Sequence, residues 1–173
     1  MMERPVASWS GLVAGPRRNA EAMIEGTSFG YWKASFQAMG SPCELLVDTT
    51  DAAVAREAHR LTATEVARIE QKLSRYRDDS VVARVNGSAG QPVVLDAETS
   101  ALIGLADQLF HRSEGRFDIS SGVLRKAWTF DGRRCSPPRE LIAALLGQVG
   151  WSKVTWEPPS LTLPAGMEID LGG

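Results

Sequence analysis

The stretch from Asp51 to about Tyr76 restricts the possible folds more than any other part of the chain. Val54, Ala58, Leu61, Val66, Ile69 and Leu73 recur there at helical spacing, and charged residues occupy the other face. That pattern belongs to a helix with one face turned inward. Thr50 or Asp51 can cap its start through a side-chain oxygen, and residues 74–80 end it. A helix this long needs a second layer to pack against. Strand-like runs at residues 31–36 and 43–48 offer one. Gly40 and Pro42 interrupt them, which reads as a hairpin or a bulged strand with Met39-Gly40 at its apex.

The rest of the chain alternates less regularly. Residues 81–85 suit a short helix or a strand, 86–90 a loop, and 93–95 a short strand. Asp96 caps a second helix over 97–112, with Leu102, Leu105, Ala106, Leu109 and Phe110 expected inward. Residues 123–130 are ambiguous, although their apolar positions repeat twice at helical spacing. A third helix starts after Ser136 with proline in its first turn, ends near Gln148 and stops at Gly150. A hairpin follows around Pro158-Pro159. A last strand runs from Met167 to Asp170, where two glycines follow. Strands interleaved irregularly with helices indicate an α+β fold rather than a doubly wound sheet. Residues 1–28, rich in Gly, Pro, Ser and Arg, read as a flexible N-terminal extension. Residues 29–173 read as the folded part.

Composition excludes several classes. A formal net charge of −2 gives no electrostatic basis for binding nucleic acid. No apolar run approaches the ~18 residues needed to span a bilayer. No secretory signal is readable, so the cytoplasm is the default compartment. Cys43 and Cys135 are far apart and match no metal spacing; they fit a reducing compartment, with one disulfide left open.

The sequence has no P-loop, dinucleotide glycine fingerprint, nucleophile-elbow serine or zinc spacing. His59 and His111 read as surface histidines. His111 and Glu114 stand at i, i+3 and are read as a surface pair rather than ligands. Four loop segments carry the functional signal: Met39-Gly40-Ser41, Arg75-Tyr76-Arg77, Gly115-Arg116-Phe117-Asp118 and Asp170-Leu171-Gly172-Gly173. Each sits where an element ends. Together they offer a flat ring and a thioether for stacking, and glycine backbone for close approach. They also offer cations for phosphate and carboxylates for hydroxyls or a metal. Such a set suits a large planar nucleotide.

In this order and at these separations, the four segments resemble those of the ApbE family of flavin transferases (FAD:protein FMN transferases). Met39-Gly40-Ser41-Pro42-Cys43 is similar to that family's Met-Gly-Thr opening. Residues 70–80, with Ser74-Arg75-Tyr76 and Ser80, resemble its Ser-x-Tyr segment, and Val85-Asn86 follows in the expected place. Residues 115–124 resemble Gly-x-Phe-Asp-x-Thr-x-Gly-Pro-Leu. Asp170-Leu171-Gly172-Gly173 matches the first half of Asp-Leu-Gly-Gly-Ile-Ala-Lys-Gly.

The resemblance implies an ApbE-like, T-fold-like α+β domain with a mixed sheet and packed helices, of which this is the N-terminal portion. It implies FAD as substrate, Mg²⁺ as cofactor, and a target protein whose threonine hydroxyl receives FMN. Met39 and Tyr76 would contact the flavin nucleotide. Arg116, Phe117 and Asp118 would line the adenine end, and Asp170 would hold FAD. Gly173 would offer its carbonyl to the metal. No catalytic residue is assigned.

Some positions depart from the family pattern. Ser41 replaces a threonine, Ser120 and Ser121 occupy Thr-x, and Val123 replaces a proline. The family's lysine three positions past Gly173, and the distal carboxylate and threonine of its metal site, are not in this sequence. The expectation is therefore an incomplete chain that binds flavin weakly and transfers nothing alone. The alternative is a flavin-binding module without transferase activity.

Overall fold

The structure, a computed structural model, describes residues 23–27, 30–128 and 136–172. These fall into two compact units. Residues 23–87 with 170–172 belong to one, and residues 88–169 to the other.

The first unit is built on an antiparallel sheet of order β1-β2-β3, comprising Met23–Gly26, Trp32–Ala38 and Ser41–Val47. β1 lies in the stretch expected to be an unstructured extension. Its backbone pairs with β2 from Met23↔Ser35 to Gly26↔Trp32, a long-range contact that four residues cannot signal by pattern. The remainder of the expected extension lies outside the described residues. β2 and β3 are joined by Met39-Gly40 alone, with Ala38 opposite Ser41. Both turn residues have positive φ, 51° and 70°. This is the type I′ geometry whose twist matches that of paired strands.

Helix α1, Ala52–Leu73, packs on β2. Of the two proposed caps Asp51 is the one used, its Oδ1 accepting from the Ala53 amide at 2.7 Å. Ala55 and Leu73 are buried, and Ala58, His59, Val66 and Ile69 are partly covered. Val54 and Leu61, expected inward, are exposed. The inward stripe is rotated so that His59, read as a surface residue, lies edge-on to Phe36 with ring centroids 5.6 Å apart. Helix α2, Val81–Asn86, resolves the helix-or-strand ambiguity. The Ser80 hydroxyl caps it by accepting from the Ala83 amide at 2.9 Å, and Val82 and Val85 are buried.

The second unit has its own antiparallel sheet of order β4-β6-β5, from Pro92–Val94, Ser160–Thr162 and Thr155–Glu157. Both described sheets are antiparallel throughout, and with the helices beside them they make up the expected α+β fold. Helix α3 spans Ala97–Arg112. Asp96 caps it through the Glu98 and Thr99 amides and also accepts from the Thr99 hydroxyl at 2.6 Å. Thr99, Ile103 and Ala106 face inward, whereas Leu105 and Leu109 are exposed, contrary to expectation.

A 3-10 helix follows at Ile119–Ala127, then α4 at Arg139–Leu146 and a short 3-10 turn at Trp151–Lys153. The Lys153 ammonium donates to the Gly147 and Val149 carbonyls at 2.8 and 2.7 Å, satisfying acceptors just past the end of α4. Ile103, Val123, Trp151, Leu161, Leu163, Met167 and Ile169 are buried. The expected last strand, 167–170, joins no sheet among the described residues. Its side chains still alternate inward and outward, because Met167 and Ile169 are buried and their neighbours less so. The alternation signalled an extended chain, but supplied no ladder partner.

Candidate functional site

Tyr76, Arg75 and Asp170 come together in the first unit. At Ser74 the backbone leaves α1 for extended geometry, and the Ser74 hydroxyl accepts from the Tyr76 amide at 3.2 Å. This tight exit turns Tyr76 outward, where it is 75% exposed. The Arg75 guanidinium lies over its ring, Cζ 4.8 Å from the centroid, and Nη2 donates to the phenol oxygen at 2.7 Å. Nη1 of the same guanidinium forms an ion pair with Asp170 Oδ2. The other Asp170 oxygen accepts from the Gly172 amide at 2.9 Å, so the residues after Asp170 turn back on its carboxylate. Arg75 Nε is buried with no acceptor among the described residues.

Arg77 is differently employed. It makes a two-pronged contact with Asp79, Nε to Oδ1 and Nη2 to Oδ2 at 2.9 Å each. Hydrogen bonding from Arg77 holds the Asp79 carboxyl below its ordinary value, and the same bond raises the arginine. Arg77 is therefore already matched in charge, whereas Arg75 shares its charge between a carboxylate and a ring.

Met39 stands at the apex of the β2–β3 hairpin, 42% exposed and in the left-handed region at φ 51°. An unbranched side chain accepts that conformation only at a cost, which is typical of positions held for a purpose other than stability.

Arg116, Phe117 and Asp118 lie in the second unit, between α3 and the 3-10 helix. The loop starts with Glu114 and Gly115, both at positive φ, 56° and 78°. Arg116 is exposed and only loosely held, at 3.3 Å from Glu114 and 3.4 Å from the Ser113 carbonyl. Phe117 is 44% exposed, and its amide donates to the Ser113 hydroxyl at 2.9 Å.

Asp118 is anchored more firmly. Its Oδ1 accepts from the Ser120 amide at 2.8 Å and the Ser120 hydroxyl at 2.6 Å, and its Oδ2 accepts from the Trp151 amide at 3.0 Å. Ser120, fully buried, in turn accepts from the Gly150 amide at 2.8 Å. Trp151 is buried and its indole N–H donates to Asp107 at 2.8 Å. Much of the Asp118 carboxylate is thus committed to bracing the loop that presents Arg116 and Phe117. Sequence reasoning had not identified Ser120, Trp151 or Asp107 as part of this support. The Asp118-x-Ser120 spacing was the available sign, since an aspartate two residues before a helical amide is a cap.

His111 is exposed, with Nε2 3.5 Å from Asp107, and Glu114 turns to Arg116 instead. Among the described residues no three His, Cys, Asp or Glu side chains cluster to hold a metal. Gly173, expected to face the metal, and Cys135 lie outside the described residues. The donors described here do not make a magnesium site: the one carboxylate among the site residues not used as a cap, Asp170, is paired with a cation. No helix among the described residues is long and apolar enough to cross a membrane.

The chain is similar to several known proteins. An FAD:protein FMN transferase of Chlamydia pneumoniae is 27% identical over 129 residues, covering 65% of this chain and 41% of its own. One of Treponema pallidum is 33% identical over 114 residues, covering 60% and 31%. The crystal structure of the ApbE protein of Thermotoga maritima matches with a TM-score of 0.72 at 27% identity, over 82% of this chain and 47% of that one. The apo flavinyl transferase ApbE of Pseudomonas stutzeri gives 0.66 at 23% identity, over 86% and 47%, a likeness of fold alone. The chain spans less than half the length of each of these relatives. The ApbE family profile matches residues 39–173, and on that match the chain belongs to the ApbE family.

Proposed function

We propose that this chain contributes the flavin-nucleotide-binding part of an FAD:protein FMN transferase. In the full reaction a threonine hydroxyl of a target protein attacks the FMN-side phosphorus of FAD. The pyrophosphate P–O bond breaks, AMP leaves, the hydroxyl proton is released, and a phosphoester joins FMN to the protein. The observation that carries this reading is the exposure of Met39, Tyr76 and Phe117 at three of the four family motifs. Large apolar side chains on braced loops are surfaces for a flat ligand to cover.

Met39 and Tyr76 would pack against the flavin nucleotide, and Asp170 would accept hydrogen bonds from FAD. Arg116 and Phe117 would meet the adenine end, with Asp118 holding both in position as well as lining it. The chemistry asked of such residues is chiefly positioning for in-line attack. Magnesium, which would neutralise charge on the pyrophosphate, is an expectation from the family, and the described residues do not supply its ligands.

Thermal unfolding with and without FAD tests the binding, since a ligand of the native state must raise the melting temperature. No rise at millimolar FAD would overturn the reading. Release of AMP, together with in-gel flavin fluorescence of an acceptor protein, separates transfer from binding alone.

A further inference from the structure

We propose that Arg75 is the residue that distinguishes phosphorylated flavins from riboflavin at this site. The inference rests on the functional reading above and adds to it a specific role for Arg75, which the sequence offered only as one of several cations.

Arg75 is held between two of the residues of its unit that the resemblance assigns to the ligand, the Tyr76 ring and the Asp170 carboxylate. A guanidinium has five N–H donors in a fixed fork. The described contacts occupy one on Nη1 and one on Nη2, and Nε has no acceptor among the described residues. The side chain is about one quarter exposed, so part of the fork reaches the surface beside Tyr76. The neighbouring Arg77 commits its Nε–Nη2 edge to both oxygens of Asp79, which ties it to its own loop. Arg75 therefore stands against the exposed ring with three N–H donors that the described contacts do not engage. A phosphate adjoining a flavin stacked on Tyr76 would draw those donors, and an arginine fork binds phosphate oxygens in pairs. Asp170 keeps its bond from the Gly172 amide and is freed on its other oxygen to accept from the ligand. Arg75 thus orders the empty site and then exchanges a carboxylate for a phosphate.

The test is titration of FAD, FMN and riboflavin against the unaltered chain, Arg75→Gln and Arg75→Lys, with circular dichroism to confirm that each variant is folded. Arg75→Gln should weaken FAD and FMN binding by about tenfold or more and leave riboflavin within about twofold. It should also flatten the salt dependence of FAD binding, and Arg75→Lys should restore part of the loss, because a point charge still attracts phosphate without the fork. Equal loss for all three flavins would reduce Arg75 to a brace for Tyr76 and overturn the inference, as would no loss at all. If Arg75→Gln does not fold, the comparison rests on Arg75→Lys, for which an unchanged ratio of FAD to riboflavin affinity overturns it. If the unaltered chain binds none of the three flavins, the functional reading falls and this inference falls with it.

Discussion

Replacing Ser120 by alanine tests the bracing of the Phe117 loop, because it removes one buried hydroxyl that ties Asp118 to Gly150. The hydroxyl does two jobs in a fully buried position: it donates to Asp118 at 2.6 Å and accepts from the Gly150 amide at 2.8 Å. A hydrogen bond to a charged group contributes about 1.5–3 kcal/mol, and a buried donor left without a partner costs about 1–3 kcal/mol. Gly150 has little freedom to turn its N–H elsewhere, since it sits at φ 136° and its next neighbour, Trp151, is locked by both its amide and its indole. Allowing for partial relaxation, Ser120→Ala should destabilise the second unit by about 3 kcal/mol. For a chain of this length that corresponds to a fall of roughly 6–12 °C in melting temperature. Urea unfolding followed by tryptophan fluorescence measures the loss. Hydrogen exchange identifies its source: the Gly150 amide should exchange much faster, while the Trp151 amide, whose acceptor is the untouched Oδ2, should change less. A loss under about 0.5 kcal/mol, the range of a neutral surface change, with Gly150 still protected would refute the account.

Three further outcomes follow from the same geometry. Met39→Gly removes a side chain from a left-handed position and should raise thermal stability by about 1 kcal/mol while weakening FAD binding; a fall in stability would mean that the turn is not strained. Gly115→Ala should destabilise by about 1 kcal/mol in a melting experiment, because φ is 78° there, a conformation that a Cβ strains even though the Phe110 ring leaves it room at 3.5 Å. Arg77→Gln should bring the Asp79 carboxyl back up to its ordinary range, as read by carbon chemical-shift titration. The folded value lies below the unfolded one, so the contribution of this exposed pair is complete above the unfolded value and disappears as pH falls through the lowered one. An unchanged Asp79 titration would contradict that assignment.

The local chemistry of the fold was readable, whereas rotations and long-range pairings were not. Asp51 and Asp96 marked their helices because a cap is a property of two or three neighbouring residues. The Met39-Gly40 apex was readable for the same reason. The inward face of α3 was not, since Leu102, Ile103, Leu105, Ala106, Leu109 and Phe110 leave the apolar stripe too broad to fix its phase. What distinguishes Ile103 from Leu105 is the packing of the unit, and the Thr99 bond to Asp96 turns the same face inward. β1 was missed because its place is set by pairing with β2, a partner its own four residues do not encode. The candidate site divides in the same way. Motif positions such as Tyr76 and Phe117 could be named from the chain, but the partners that brace or charge them come from remote sequence: Asp170 for Arg75, and Gly150 and Trp151 for the Asp118 loop.

The link between Arg75 and Asp170 also has a consequence for how the polypeptide matures. The first unit is interrupted in the chain by the whole of residues 88–169. During vectorial synthesis its sheet, α1 and α2 can collapse as soon as they clear the ribosome, while the aspartate that completes their corner has yet to be translated. Tyr76 therefore emerges beside an arginine with no carboxylate to answer it, and that corner closes only once the intervening unit has been made.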